Sequence, residues 1–255
     1  MKNLVKRILG LTMALLMVFG IYASTTNVFA EEGNLERKVI SNLSSEIGWF
    51  DGKITGTVDI SQVVSNSQLK LKEGTANTYA GVLSGSVESG DLFYGAFKLY
   101  KEKFKNLNLF NRPWKNIVMF GETKNTFPTC SYTVIFPNNV TVDKANIVAT
   151  ENTNAISKIE TKAEDHSVTF KFYLGNWNDY EGFFKLVEKE INESGHLINI
   201  SIPYTVDVDE SSSNVLGMIK GSGECKLYKF GGFSLPHPIV DLTSPEISFN
   251  IINPR

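Results

Sequence analysis

Cysteine is almost missing from this chain: there are two in 255 residues, Cys130 and Cys225. A secreted fold built on disulfides needs many more, so rigidity has to come from a packed core. Histidine is nearly as scarce. His166, His196 and His237 are the full set, and none stands at metal-ligand spacing from another or from a cysteine. No metal and no cofactor is expected. Charge of one sign is lacking too. With Lys2, Lys6 and Arg7 removed by cleavage from the 25 basic residues, 22 remain against 27 acidic ones, about −5 net. That balance gives no electrostatic reason to bind nucleic acid or an anionic membrane. After the first thirty residues there is no long apolar run, so no membrane insertion is expected once those residues are gone.

Catalytic signatures are also absent. Gly85-Ser86 and Gly221-Ser222-Gly223 are the nearest approach to a nucleophile elbow, and neither has the strand-to-helix setting that exposes a serine. The two cysteines have no helix start beside them and, apart from Lys226, no basic neighbour to lower a thiol pKa. Asp179 with Glu181 is explained by helix-start chemistry. Asp207, Asp209 and Glu210 read as a solvated loop, with a calcium site as the alternative. The chain is not expected to be an enzyme.

What is present begins with an export signal. Lys2, Lys6 and Arg7 precede an apolar run from Ile8 to Tyr22, and Val28-Phe29-Ala30 follows with a small residue last. The run is short for a bilayer core, which takes about 20 residues. Cleavage after Ala30 and a secreted or cell-surface location are expected.

Leu35, Val39, Ile40, Leu43 and Ile47 have helical spacing, which predicts a helix over 34–47. Asp51-Gly52 marks a tight turn, and Ile54, Gly56, Val58 and Ile60 alternate as a strand. Short strands follow at Leu69 to Leu71 and Val82 to Val87. Phe93, Phe97, Tyr100, Phe104 and Leu107 recur at three and four residues, predicting a helix from an Asp91 cap to Phe110. Ile117 to Phe120 is a candidate buried strand. From Cys130 the pattern is strand after strand: 130–136, 140–142, 147–148, 156–161 and 168–174.

A helix is predicted from Asn178 to Glu193. Asn178 and Glu181 form a capping box, Phe183, Phe184, Leu186, Val187 and Ile191 form the apolar stripe, and Glu188, Lys189, Glu190 and Glu193 face water. Gly195 stands where a left-handed end residue is wanted. Leu197 to Ile202 is a strand that Pro203 marks as an edge or a bulge. The glycines 217, 221 and 223 suggest a hairpin over 215–228, and Ile247 to Ile251 is the last strand.

The loop from Gly175 to Tyr180 is the candidate ligand-contact site, through Asn176, Trp177, Asn178 and Asp179. Both of its ends are held by regular elements, Trp177 offers a flat aromatic face, and its polar neighbours can bond sugar hydroxyls or a peptide backbone. The competing reading makes Trp177 a lid on the core, as for Trp49 and Trp114. Cys130 and Cys225 are either a bridge between strands or two buried thiols. Both lie in alternating segments of a chain expected to be exported, so a disulfide is the expectation.

Tyr132-Thr133-Val134-Ile135-Phe136-Pro137-Asn138-Asn139-Val140-Thr141-Val142, then Val168 to Phe172, the helix with Tyr180 and Phe183-Phe184, and Ile200-Ser201-Ile202-Pro203-Tyr204 together resemble the adhesin-type β-rich domains of Gram-positive cell-wall surface proteins. The resemblance covers about half of the chain after Ala30. It implies a non-catalytic binding or stalk module, and no site residue carries over from it. A Leu-Pro-x-Thr-Gly sorting motif, usual in those proteins, is not in this sequence. A thioester would need a partner glutamine, and only Gln62 and Gln68 exist. An isopeptide bond between Lys and Asn or Asp stays open.

The expected fold is therefore mostly β, a sandwich in the immunoglobulin-like style with a few short helices. The expected parts are a signal peptide at 1–30, a mixed α/β amino-terminal region at 31–120 and a β-sandwich with one inserted helix at 121–255. The expected function is an adhesin-like module that recognises a host or neighbouring-cell protein or glycan. The alternatives are a secreted polysaccharide hydrolase and a structural spacer or assembly subunit.

Overall fold

The computed structural model describes residues 37–47, 52–109, 112–113, 118–121, 126–175, 180–229 and 238–255. The export signal expected at 1–30 lies outside them, as do Trp49, Trp114 and His237. Residues 37–255 cluster as one compact unit. No helix among the described residues is long and apolar enough to cross a membrane.

The chain opens with β1 (Ile40–Ile47) and β2 (Gly52–Asp59), an antiparallel pair in register from Ile40 opposite Asp59 to Ile47 opposite Gly52. This corrects the helix expected over 34–47. Ser41, Asn42, Ser44 and Ser45 are weak helix formers, and the ladder with β2 settles the conformation. Next come β3 (Val64–Asn66), β4 (Lys70–Leu71) and β5 (Thr78–Glu88). β5 runs directly into α1 (Ser89–Leu99), which continues as one π-helical turn, Tyr100–Phe104. The helix thus starts two residues before the expected Asp91 cap and stops short of Phe110. Asp91 sits in its first turn and pairs with Arg37.

Short pieces follow: β6 (Asn108–Leu109), β7 (Arg112–Pro113) and β8 (Met119–Phe120). Then β9 (Thr129–Ile135), β10 (Val140–Val142) and β13 (Ser167–Tyr173) appear within a residue of the expected strands, while β11 (Val148–Glu151) extends past 147–148 and β12 (Lys158–Ala163) lies two residues beyond 156–161. α2 (Tyr180–Asn192) and β14 (Leu197–Asp207) follow, with Gly195 between them at φ +87°. The last three strands are β15 (Val215–Lys229), β16 (Pro238–Thr243) and β17 (Ile247–Ile252).

Two sheets carry the fold. The larger runs β1-β2-β16-β15-β9-β13-β12, with β17 and β8 also on β15. The smaller runs β10-β14-β5-β3, with β11 on β14 and β4 on β5. All of these pairings are antiparallel except β16 with β2. Both sheets therefore take strands from either side of position 120. β14 shows why a sandwich forms. Its residues are buried at every second position, so Ile198, Ile200, Ile202, Tyr204 and Val206 all face inward. Ile200, Ile202, Tyr204 and Val206 meet Val134, Val168, Phe170 and Ile219 of the larger sheet in one core cluster, and Ile198 belongs to a second. A fully buried Val, Ile or Phe contributes about 1.5–3 kcal/mol.

A second cluster lies where the helices cap the sandwich. Tyr100 stacks on Phe184 with ring centroids 4.4 Å apart, and Phe93 meets Phe183 edge-on at 5.2 Å. Gly90 lets the helices approach: a Cβ there would stand 2.6 Å from the Glu190 carbonyl oxygen.

Two further expectations change. The hairpin expected over 215–228 is the single strand β15. Its Gly221 is not a turn residue; it makes room for Tyr132, whose hydroxyl would lie 2.1 Å from an added Cβ. Pro203 is neither on an edge strand nor in a bulge, because β14 lies between β5 and the pair β10 and β11. Its carbonyl accepts from the Asp143 amide at 2.9 Å. In a strand the nitrogen faces the same way as the carbonyl. The missing N–H therefore falls in the gap between β10, opposite 204–206, and β11, opposite 198–201.

Candidate functional site

A half-open apolar cleft of about 180 Å³ lies among strands of both sheets and the two helices, lined mostly by the second core cluster. The inward alternation of the strands supplies its walls. β2 contributes Ile54 and Val58; β15 and β16 contribute Leu227, Val240 and Leu242. On the opposite side lie Val87 of β5 and Ile198 and Ile200 of β14. Leu92, Phe93 and Ala96 of α1, with Phe183 and Phe184 of α2, close the helical end. Ser86, Ser131, Glu224, Thr243 and Ser244 are the polar residues along it, beside Tyr132 and Tyr180. Such a surface favours apolar groups: it returns little to a hydroxyl that gives up water.

Cys130 and Cys225 both line the cleft, and both are free thiols in this structure. Burial pushes Cys130 up to about 12 and Cys225 well above its ordinary value, so both are protonated at neutral pH. Tyr132 shares the wall. Burial raises its phenol to about 12, and among the described residues its hydroxyl has no hydrogen-bond partner.

The densest polar cluster lies beside the helices. Glu190, expected to face water, is 1% exposed. It accepts from Ser89 Oγ at 2.7 Å, Thr153 Oγ1 at 2.8 Å and the Asn154 amide at 3.1 Å, and it shares a 2.6 Å bond with His196 Nδ1. Burial alone would raise this carboxyl; the hydrogen bonds from Ser89, Thr153, Asn154 and His196 outweigh it and hold it below the ordinary range. Serine, histidine and a carboxylate meet here, but the serine hydroxyl is donated to the carboxylate. A nucleophile would need that proton taken by the imidazole, so the cluster is built to tie α1, α2 and residues 153–154 together. The stripe spacing of α2 could have revealed it, since position 190 is seven after Phe183.

The other expected site residues disperse. Asn176, Trp177, Asn178 and Asp179 lie outside the described residues. Glu181 pairs with Lys185 at 3.1 Å. Asp209 accepts from the Ser211 and Ser212 hydroxyls at 2.7 and 3.1 Å and from the Ser211 amide, and these bonds lower its pKa. Asp207 accepts from Thr78 at 2.6 Å. Among the described residues no three His, Cys, Asp or Glu side chains converge on a metal position. His166 stays in the turn before β13, where its carbonyl accepts from the Phe136 amide.

No protein-family model and no curated protein matches the chain. Solved structures do. The collagen-binding subdomain of the Enterococcus faecalis surface protein ACE is 8% identical, covering 75% of this chain and 97% of its own, with a TM-score of 0.29. The collagen-binding domain of a Staphylococcus aureus adhesin is 5% identical over the same shares, also at 0.29. The T6 backbone pilin of serotype M6 Streptococcus pyogenes is 9% identical, covering 74% of this chain and 35% of its own, at 0.33. The structures matched are surface adhesin domains and a pilin. At such identities and scores, the cleft and its residues have to be read from this chain alone.

Proposed function

We propose that this chain is an extracellular, non-enzymatic binding module that grips an extended protein segment by its apolar side chains. The half-open cleft between the sheets carries this reading. Its walls suit aliphatic and aromatic groups, whereas a glycan would bring hydroxyls that the cleft cannot satisfy. The ionisable groups support a non-catalytic role. Every resolved shift among the described residues moves a group away from neutrality, lowering carboxyls and raising thiols and phenols, except at Lys229, where burial lowers the ammonium. A general acid or base works best with a pKa near the working pH.

The test is an array of extracellular proteins, collagen among them, beside an array of wall and host glycans. Val58→Arg is the control. Val58 is half-buried on the cleft wall, so an arginine can carry its charge out to water and leave the fold intact. Capture of a protein, lost in Val58→Arg at unchanged Tm, is the expected result. Capture of glycans alone, or protein binding equal in the variant, overturns the reading.

An assembly role has its own observation. Val215 and Ile252 stand directly opposite on the outer face of β15 and β17 and are 47% and 57% exposed. Met218 and Ile135 nearby are 44% and 52% exposed. Self-association in sedimentation that a Met218→Lys change abolishes would favour the assembly subunit.

A further inference from the structure

β9 and β15 are antiparallel neighbours. Their ladder places Tyr132 opposite Gly223 and Ser131 opposite Glu224. The next residues along the two strands are Cys130 and Cys225. Directly opposed residues on such strands point to one face, with Cα atoms about 4.5–5.5 Å apart, and a disulfide accepts about 4.4–6.8 Å. A contact beyond the ladder brings the Cys225 side chain onto β9: its Sγ lies 3.9 Å from the carbonyl oxygen of Thr129, the residue before Cys130. The chain has no third cysteine to compete.

We propose that Cys130 and Cys225 form a cross-strand disulfide in the exported protein, a covalent strap in the wall of the cleft. The strap fastens β9 to β15 just where their hydrogen-bonded ladder ends, and so fixes the width of that wall. It does not depend on which ligand the cleft takes.

The chemistry is thiol–disulfide exchange. One cysteine thiolate attacks an external disulfide, of a small molecule or of an exported thiol oxidoreductase, and releases one thiolate. The second cysteine thiolate then attacks the mixed disulfide and releases the other. The two cysteines lose two electrons and two protons, and the external disulfide takes up both. Burial keeps both thiols protonated in the closed structure, so exchange belongs to folding, while β9 and β15 are still apart.

The protein is collected from the medium of an expressing cell and denatured with iodoacetamide, without reductant. The expected product carries no adduct, is about 2 Da lighter than the reduced chain, and yields a peptide in which the segments around positions 130 and 225 are linked. Adducts on both cysteines overturn the proposal, and this measurement on the wild type needs no variant to fold. Reduction should lower Tm by about 10 °C. Cys130→Ala/Cys225→Ala should melt with the reduced wild type and not respond to reductant. A reductant-induced drop of the same size in that double variant would also sink the strap.

Discussion

Glu190 offers the sharpest energetic test, because a charged side chain at 1% exposure is held by named donors. Glu190→Ala strands Ser89 Oγ and Thr153 Oγ1, whose residues are 0% and 6% exposed, and frees the Asn154 amide and His196 Nδ1, which water can reach more easily. A buried donor left without a partner costs about 1–3 kcal/mol. Counting only the two buried hydroxyls, the expected loss is about 2–6 kcal/mol, which in a domain of this size lowers Tm by about 5–20 °C. Urea unfolding at pH 7 measures it. The pH dependence provides a second, independent readout. The folded carboxyl lies below its ordinary value of 4.5, so its contribution is complete above that pH and is lost as pH falls through the folded value. His196, Glu193 at 3.5 Å from its Nε2, Glu88, which accepts from the His196 amide, and Glu151, which accepts from the Thr153 amide, are the titratable neighbours, so the comparison is made against Glu190→Gln, which keeps them all. The wild type should lose more stability than Glu190→Gln between pH 5 and pH 3. A Glu190→Ala protein within about 1 kcal/mol of wild type, or matched acid profiles, would refute the reasoning.

Two further changes test the wall of the cleft. Gly221→Ala should destabilise by about 1–3 kcal/mol in thermal or urea unfolding, because the new Cβ would stand 2.1 Å from the Tyr132 hydroxyl and 2.9 Å from its ring; an unchanged Tm would mean that Tyr132 does not lie over β15. Tyr132→Phe should be neutral or stabilising by about 1 kcal/mol, since it removes a buried hydroxyl that has no hydrogen-bond partner among the described residues; a loss above about 2 kcal/mol in urea unfolding would show that the hydroxyl is in fact bonded.

The strands from Cys130 to Tyr173 and the helix after Tyr180 were legible because each shows one period without conflict. β9 alternates, and α2 carries its apolar stripe. β1 was not legible: Leu35, Val39, Ile40, Leu43 and Ile47 satisfy a helical template, while the serines between them weaken it, and only β2 decides the matter. Glycine misled at β15 because its local meaning, a turn, competes with a long-range one. Gly221 is small for the sake of Tyr132, 89 positions away. Glu190 was misread because polarity outweighed position: the spacing of α2 puts it on the buried side, but charge alone suggests water. The cleft could not be seen at all. Alternation says which residues face inward, not where two inward faces fail to meet.

That failure to meet has a cost, and the cost bears on function. Cavities lower stability by about 24 cal/mol per Å³, so about 180 Å³ left empty amounts to roughly 4 kcal/mol if the lining were dry. Opening to water reduces the figure but leaves apolar walls hydrated. The sequence could fill the space with small changes, since Ala96, Val58 and Gly85 all border it and larger side chains there would join the two core clusters into one. A folding optimum would leave no such space beside the helices. What stands there instead is a surface whose stabilisation is completed only when another apolar group enters. As an upper bound, roughly 4 kcal/mol corresponds to about a thousandfold in an equilibrium constant, and half of it to about thirtyfold, enough to let one buried side chain of a partner anchor an interface. The strap proposed between Cys130 and Cys225 acts on the same wall. It would hold β9 and β15 together at the point where their ladder stops, so that the cleft meets its ligand already open and not as a fluctuation that must first be ordered.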